Sequence, residues 1–163
     1  MEQSNTTRPE IKLIGIQVRT NNKNEIDPMT GKIFPIVKRF FQEQLFDKIP
    51  HRTKPGTTFC CYTDYESDHT GDYTYFIGEE VSSLADVPAD FNTLIIPAQT
   101  YAKFTTGPAP MPDVVRNAWF SIWQMTDADF GGKRRYATDF EIYDERANDH
   151  QNIVMDLFIG VEA

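Results

Sequence analysis

The chain has 163 residues, of which 40% are hydrophobic, 13% aromatic and 25% charged, and its formal net charge at pH 7 is −8. This length and composition are typical of one globular domain whose core needs no disulfide or metal. The negative charge repels phosphate backbones, and the only notable basic run, at 133–135, is short. Direct binding of DNA or RNA is therefore not expected.

The first half of the chain is predicted to form a strand, a helix and two further strands. A strand is expected at about 11–19, and apolar residues at steps of three and four predict a helix at about 34–47. After proline and glycine breakers, strands follow at about 57–65 and 73–81, joined by the turn-rich stretch SDHTGD.

The second half repeats this order. A strand at about 93–105 precedes a helix at about 112–126, in which Pro112 suits the first turn because that turn needs no amide donor. Two strands complete the half, at about 136–144 and 152–161.

A short sequence echo supports a duplication: YFIGEE at 75–80 is similar to LFIGVE at 157–162. We therefore predict an α+β fold in a single domain, 1–163. It would consist of two pseudo-symmetric strand-helix-strand-strand modules at about 11–81 and 93–162, with one long helix each.

The antiparallel sheets of the two modules are expected to form a central ligand groove. Each helix would cover one face of its own sheet, and the bare faces would curve toward each other. The loops 20–32 and 127–134 are expected to be mobile and to lie at the rim. Such repeats can also pack without leaving a cavity, and periodicity alone does not decide between these arrangements.

The segment YATDFEIYDE carries the main candidate site. Strand alternation places Phe140 and Ile142 on one face, which we expect to pack under the helix, and Asp139, Glu141 and Tyr143 on the other, facing the groove. A partly desolvated carboxylate among aromatic rings attracts cations. The same alternation also fits a strand with a merely solvated face.

Aromatic residues could form the walls of this groove. Tyr62 matches Tyr143 in the first half, which places Cys60 opposite Glu141 and leaves the acid in one half only. On the second helix, Trp119 is a candidate ligand platform, and Trp123, four residues on, is expected in the core. Further candidates on strands are Tyr73, Tyr75, Tyr101 and Phe104.

Other kinds of site are not indicated. His51, His69 and His150 lack the spacing of metal ligands, and phosphate-binding loops and nucleophile elbows are absent from the sequence. Cys60 and Cys61 would point to opposite faces of a strand and are interpreted as reduced packing residues. We expect no metal and no cofactor. A polar start and no long apolar run predict a cytoplasmic protein with no membrane contact.

From about residue 11 to 162 the chain resembles the gyrase-inhibitor-like effector-binding domains, found as ligand-sensing parts of MerR-type and AraC-type transcription regulators and as stand-alone proteins. The resemblance is carried by YTDYESDHTGDYTYFIGEEV, IPAQTYAKFTTGP, the helix with Trp119, and RRYATDFEIYDE. These segments are most similar to the subgroup of integron cassette proteins and bacterial transcription-activator effector-binding domains.

The resemblance implies a pseudo-two-fold fold whose central groove takes bulky, hydrophobic, often cationic compounds. It also implies that the glutamate of an F-E-x-Y pattern, here Glu141 followed by Tyr143, lies at the pocket floor, with aromatic walls at Trp119 and Tyr62. Because the stretch before residue 11 is too short for a helix-turn-helix, the chain is expected not to bind DNA itself.

Three functions follow as hypotheses, and the binding function is favoured over an enzymatic one. In the first, the chain binds hydrophobic, cationic, drug-like molecules. Its candidate ligand-binding residues are Glu141, Trp119, Tyr143, Tyr62, Phe104, Tyr73 and Tyr75. In the second, it hydrolyses strained or electrophilic molecules, with Glu141 as general base and Tyr143 or Tyr62 polarising the electrophile. In the third, it modulates a topoisomerase-like protein partner.

Overall fold

The computed structural model describes residues 1–162 and shows one eight-stranded antiparallel sheet with four α-helices. The strands are β1 (Glu2–Arg8), β2 (Ile11–Asn21), β3 (Thr58–Thr63), β4 (Asp72–Glu80), β5 (Asn92–Ile96), β6 (Gln99–Ala109), β7 (Thr138–Tyr143) and β8 (Ile153–Val161). The helices are α1 (Asn22–Ile26), α2 (Ile33–Gln42), α3 (Asp113–Trp123) and α4 (Asp127–Phe130), with 3-10 turns at Leu45–Lys48 and Glu145–Ala147. The predicted α+β class is confirmed. No helix in this part of the chain is long and apolar enough to cross a membrane.

The strand order is β1-β6-β8-β7-β3-β4-β2-β5. Its six inner strands form two triplets, β6-β8-β7 and β2-β4-β3, and in each triplet the last strand in sequence lies in the middle. The triplets meet where β7 pairs with β3, with Thr58 opposite Tyr143 and Thr63 opposite Thr138. We propose that each triplet, with its helix, is one of the two half-modules.

Several elements differ from the sequence-based expectation. The strand expected at 93–105 is two strands, β5 and β6, and Pro97 lies between them, where a residue without an N–H interrupts a ladder. The long helix of the first half ends at Gln42, because Gln44 adopts the left-handed conformation with φ of 50°. Polar residues at the N-terminus form the edge strand β1, which pairs with β6 and which hydrophobic alternation does not reveal.

The two loops expected at the rim contain short helices with side-chain caps. At α1, the Asn21 side chain accepts a hydrogen bond from the Asn24 amide. At α4, Thr126 and Asp129 form a capping box that satisfies the first free amides of the helix. Their mobility stays a prediction.

Both long helices lie on the same face of the sheet. α2 packs on β2 and β4, and α3 packs on β6. The opposite face carries a second hydrophobic cluster made only of strand residues, in which the rings of Phe140 and Phe158 stack at 4.8 Å. The prediction that Phe140 and Ile142 pack under a helix is therefore wrong. Alternation determines which residues share a face, but the packing of the whole sheet decides which face the helices cover.

The strand-only cluster should contribute strongly to stability. We expect Phe140→Ala to lower the free energy of unfolding by about 3–5 kcal/mol, because it leaves a cavity in a fully buried aromatic stack. Phe34→Ala is the control, since Phe34 is 75% exposed, and it should change stability by less than about 0.5 kcal/mol. Urea unfolding of both variants measures the difference, and similar losses would contradict the assignment.

Candidate functional site

Glu141 lies in the middle of β7, on the helix-covered face, and is only 2% exposed. Its cross-strand neighbours are Cys60 on β3 and Leu157 on β8. The prediction that Cys60 lies opposite Glu141 agrees with this register. A carboxylate is thus placed in the interior of the sheet, where ionisation is costly unless hydrogen bonds compensate it.

Three neutral side chains donate hydrogen bonds to this carboxylate. The Tyr62 hydroxyl and the Trp119 indole N–H donate to Glu141 Oε2, at 2.6 Å and 2.7 Å. The Tyr143 hydroxyl donates to Glu141 Oε1 at 2.6 Å. Within residues 1–162 no lysine, arginine or histidine forms an ion pair with Glu141. The carboxylate therefore has donors but no counter-ion.

The fold brings these donors together from three elements. Tyr62 comes from β3 and Tyr143 from β7, the two strands at which the triplets meet. Trp119 reaches the site from α3, whose buried residues Val114, Ala118, Trp119 and Ile122 recur at helical spacing and direct the indole toward the sheet. The site is therefore assembled at the boundary between the two halves of the chain.

Burial controls the ionisation of the site. It raises the pKa of Glu141 above that of an ordinary carboxyl, although the three hydrogen bonds act in the opposite direction. Burial, together with the negative charge of Glu141, raises the pKa of the Tyr62 and Tyr143 hydroxyls far above its usual value. Both hydroxyls therefore keep their protons and remain donors.

Aromatic rings surround the acid. The Tyr62 ring lies 4.8 Å from Trp119, 5.4 Å from Tyr75 and 5.6 Å from Tyr73, between ring centres. Tyr62 and Tyr143 are half-buried and pack against the hydrophobic clusters of both helices. We use the name Glu141 groove, after the predicted feature, for the acidic, aromatic cluster between α2 and α3. Its members are Glu141, Trp119, Tyr143, Tyr62, Tyr73 and Tyr75.

The structure places Phe104 and Tyr101 farther out. Phe104 lies in the same cross-strand row as Glu141, but β8 separates the two, and its ring packs near Phe130. Tyr101 is on the opposite face, in the strand-only cluster. The hydroxyl of Tyr73 donates to Asn22 Oδ1 at the start of α1, at 3.0 Å.

Cys60 and Cys61 are free, buried and on opposite faces, as predicted. Burial raises the pKa of the Cys60 thiol, so this side chain next to Glu141 stays protonated. No group of three potential metal-binding side chains occurs in the region that the structure describes.

Sequence reasoning missed a buried ion pair beside the groove. Arg134 Nη2 donates to Asp139 Oδ2 at 2.8 Å, and the Tyr65 hydroxyl donates to the same oxygen at 2.7 Å. The Gly160 amide donates to Asp139 Oδ1. The alternation of residues along the strand predicted Asp139 on the groove face. Arg134, however, belongs to a short basic run, and such a run is typical of a solvated loop. Only the tertiary fold shows that its guanidinium is buried.

The fold and the sequence together define an effector-binding protein. The chain belongs to the family of integron-associated effector binding proteins, whose sequence model matches residues 6–161. The predicted membership of the gyrase-inhibitor-like group is thereby confirmed.

Similar proteins cover nearly the whole chain. The integron cassette protein VCH_CASS2 from the mobile metagenome of Vibrio cholerae is 27% identical, with a TM-score of 0.76 over 98% of this chain and 95% of its own. YobU of Bacillus subtilis (strain 168), proposed to be a transcriptional regulator, is 24% identical over 98% of each chain. SAV2435, solved with bound tetraphenylphosphonium, has the same fold at 16% identity, with a TM-score of 0.77 over 100% of this chain and 95% of its own.

Replacing the acid should reveal the cost of burying it. Burial raises the pKa of Glu141 in the folded protein above the pKa of the same group in the unfolded chain. The contribution of Glu141 to the free energy of unfolding is therefore largest at a pH below the ordinary carboxyl pKa. This contribution is lost as the pH rises through the pKa of the folded state. Glutamine can accept from Tyr62 and Trp119 and donate to Tyr143, so Glu141→Gln should unfold at a higher temperature than wild type at about pH 7.

This difference should shrink toward zero at about pH 3, where the glutamate is protonated in both the folded and the unfolded state. Calorimetric melting of both proteins across this range makes the comparison. A variant that is less stable at every pH would contradict the assignment of burial as the dominant effect.

Proposed function

We propose that the chain binds bulky hydrophobic cations in the Glu141 groove, with the Glu141 carboxylate as the counter-charge. The observation that carries this proposal is a buried carboxylate held by three neutral donors and no cation. Trp119, Tyr62 and Tyr143 would contact the ligand, and Tyr73 and Tyr75 would complete the wall. Phe104 lies one strand beyond Leu157 and would contact only ligands large enough to extend that far.

The charge of Glu141 would give the site its preference for a positively charged ligand. In a site shielded from water, the attraction between a carboxylate and a cation is much larger than in solvent, because the effective dielectric is lower. The neutral donors hold Glu141 in place and stabilise its anionic form, but they do not cancel its charge. An external cation would supply the missing counter-ion.

The aromatic side chains provide the hydrophobic contact. Tyr62 and Tyr143 are only half-buried, so part of each side chain is exposed and would be available to a ligand. A cation over such rings gains about 0.5–2 kcal/mol each, depending on how far it is desolvated. A ligand entering between α2 and α3 would displace one or both hydroxyls and replace their hydrogen bonds with its own charge.

The comparisons support this choice of ligand. SAV2435, which shares the fold, was solved with tetraphenylphosphonium, and that ion is both bulky and cationic. The family description names effector binding, which accords with a small-molecule ligand. Tetraphenylphosphonium is therefore the first probe, and triphenylphosphine oxide, which is neutral and carries three phenyl groups on phosphorus instead of four, is the comparison compound.

Glu141→Gln should weaken the binding of tetraphenylphosphonium at least tenfold and that of triphenylphosphine oxide less than about threefold, because only the first loses a counter-charge. Isothermal titration calorimetry measures both affinities. Glu79→Gln is the matched control: it removes another buried carboxylate from the same face, but one that Arg52 already neutralises. This control should bind the cation as wild type does, and equal losses for both ligands in Glu141→Gln would contradict the electrostatic role.

Cation binding should also depend on pH. Protonation of Glu141 removes the counter-charge, and its raised pKa means that affinity falls with decreasing pH already above the usual carboxyl range. The affinity of Glu141→Gln should not change over the same range. Titrations between about pH 5 and 8 measure this difference, and an equal pH dependence in the two proteins would assign it to another group.

A further inference from the structure

Asp139 and Arg134 form a second charged centre beside the Glu141 groove. Asp139 is completely buried and lies two residues before Glu141 on the same face of β7, about 6.5–7 Å away along the strand. The side chain of Arg134 is 5% exposed and reaches Asp139 from the segment between α4 and β7. A fixed cation is therefore buried within a short distance of an acid that has no counter-ion of its own.

Trp119 connects the two centres. Its indole N–H donates to Glu141, and the centre of the Arg134 guanidinium lies 5.9 Å from the centre of its ring. The guanidinium also stacks at 4.2 Å on Tyr136, and its Nε is buried without a hydrogen-bond partner. Arg134 therefore keeps an unused hydrogen-bond donor while its guanidinium packs against Trp119 and Tyr136.

The contacts of Asp139 hold this guanidinium in place. Both carboxylate oxygens are occupied: Oδ2 accepts from Arg134 and Tyr65, and Oδ1 accepts from the Gly160 amide. A carboxylate anchored to the backbone of β8 cannot follow the arginine if the latter moves. Asp139 therefore provides a rigid counter-charge for Arg134.

We propose that Asp139 is a positioning residue that retains the Arg134 guanidinium and so keeps Glu141 free for an external cation. This inference rests on the proposed binding of cations at Glu141. Without Asp139, Arg134 would be an uncompensated positive charge near Glu141. It would then neutralise Glu141 from inside the protein and compete with the ligand.

The test compares wild type, Asp139→Asn and the double variant Asp139→Asn/Arg134→Met by calorimetric titration at low salt. Asp139→Asn should weaken tetraphenylphosphonium binding about tenfold or more and leave triphenylphosphine oxide within about threefold. The double variant should regain cation affinity to within about threefold of wild type, because the competing charge has been removed. A purely structural role for Asp139 predicts no such rescue and equal losses for both ligands.

Asp156→Asn is the matched control. It breaks the ion pair between Arg146 and Asp156, which has the same length of 2.8 Å. Like Asp139, Asp156 also accepts a hydrogen bond from a hydroxyl, in this case that of Thr105. Asp156 lies on β8 next to Phe158 of the strand-only cluster by alternation, so its loss should leave the affinity for the cation unchanged. An effect equal to that of Asp139→Asn would assign the change to general loss of an ion pair.

Should Asp139→Asn fail to fold, Arg134→Lys takes its place. This variant keeps every charge but loses the planar guanidinium that stacks on Tyr136. The positive side chain at position 134 is therefore held less firmly beside Asp139. It should weaken the binding of tetraphenylphosphonium severalfold, and wild-type affinity in a folded Arg134→Lys protein would overturn the inference.

The outcomes separate the inference from the proposed function. If wild type binds no cation, both are wrong. If wild type binds it and Glu141→Gln does not, but folded Asp139→Asn binds as wild type does, only the role of Asp139 is overturned.

Discussion

The burial of one carboxylate among neutral donors is the constraint on which the site depends. Glu141 is ionisable and nearly inaccessible, so its charge must be stabilised by fixed hydrogen bonds. Tyr62, Tyr143 and Trp119 supply three of them from two strands and a helix. Any displacement of these elements would leave the acid unsatisfied, and this requirement links the geometry of the sheet to the geometry of the Glu141 groove.

The neighbouring acid shows the other solution to the same problem. Asp139 has a guanidinium as its partner, as well as a hydroxyl and a backbone amide. The two carboxylates are two residues apart on one strand, yet one is neutralised internally and the other is not. Under the proposed function, this contrast would favour a cation at Glu141 over a cation at Asp139.

Much of this arrangement was accessible from the sequence. Period-two alternation placed Glu141 and Tyr143 on one face, and the helical spacing of α3 marked Trp119 as an inward-facing ring. Polar segments were harder: β1 has little hydrophobic pattern and forms through backbone pairing with β6. The break at Pro97 and the early end of α2 were also missed, because periodicity does not report where the backbone turns.

The sequence by itself determined the α+β class, the order of the main elements, the family resemblance and the identity of the central acid, because these depend on local periodicity and short motifs. Only the tertiary structure decided that both helices cover the same face as Glu141, that three donors converge on its carboxylate, and that Arg134 is buried against Asp139. The physical reason is that burial and ion pairing arise from contacts between distant segments, and neither alternation nor composition specifies which segments meet.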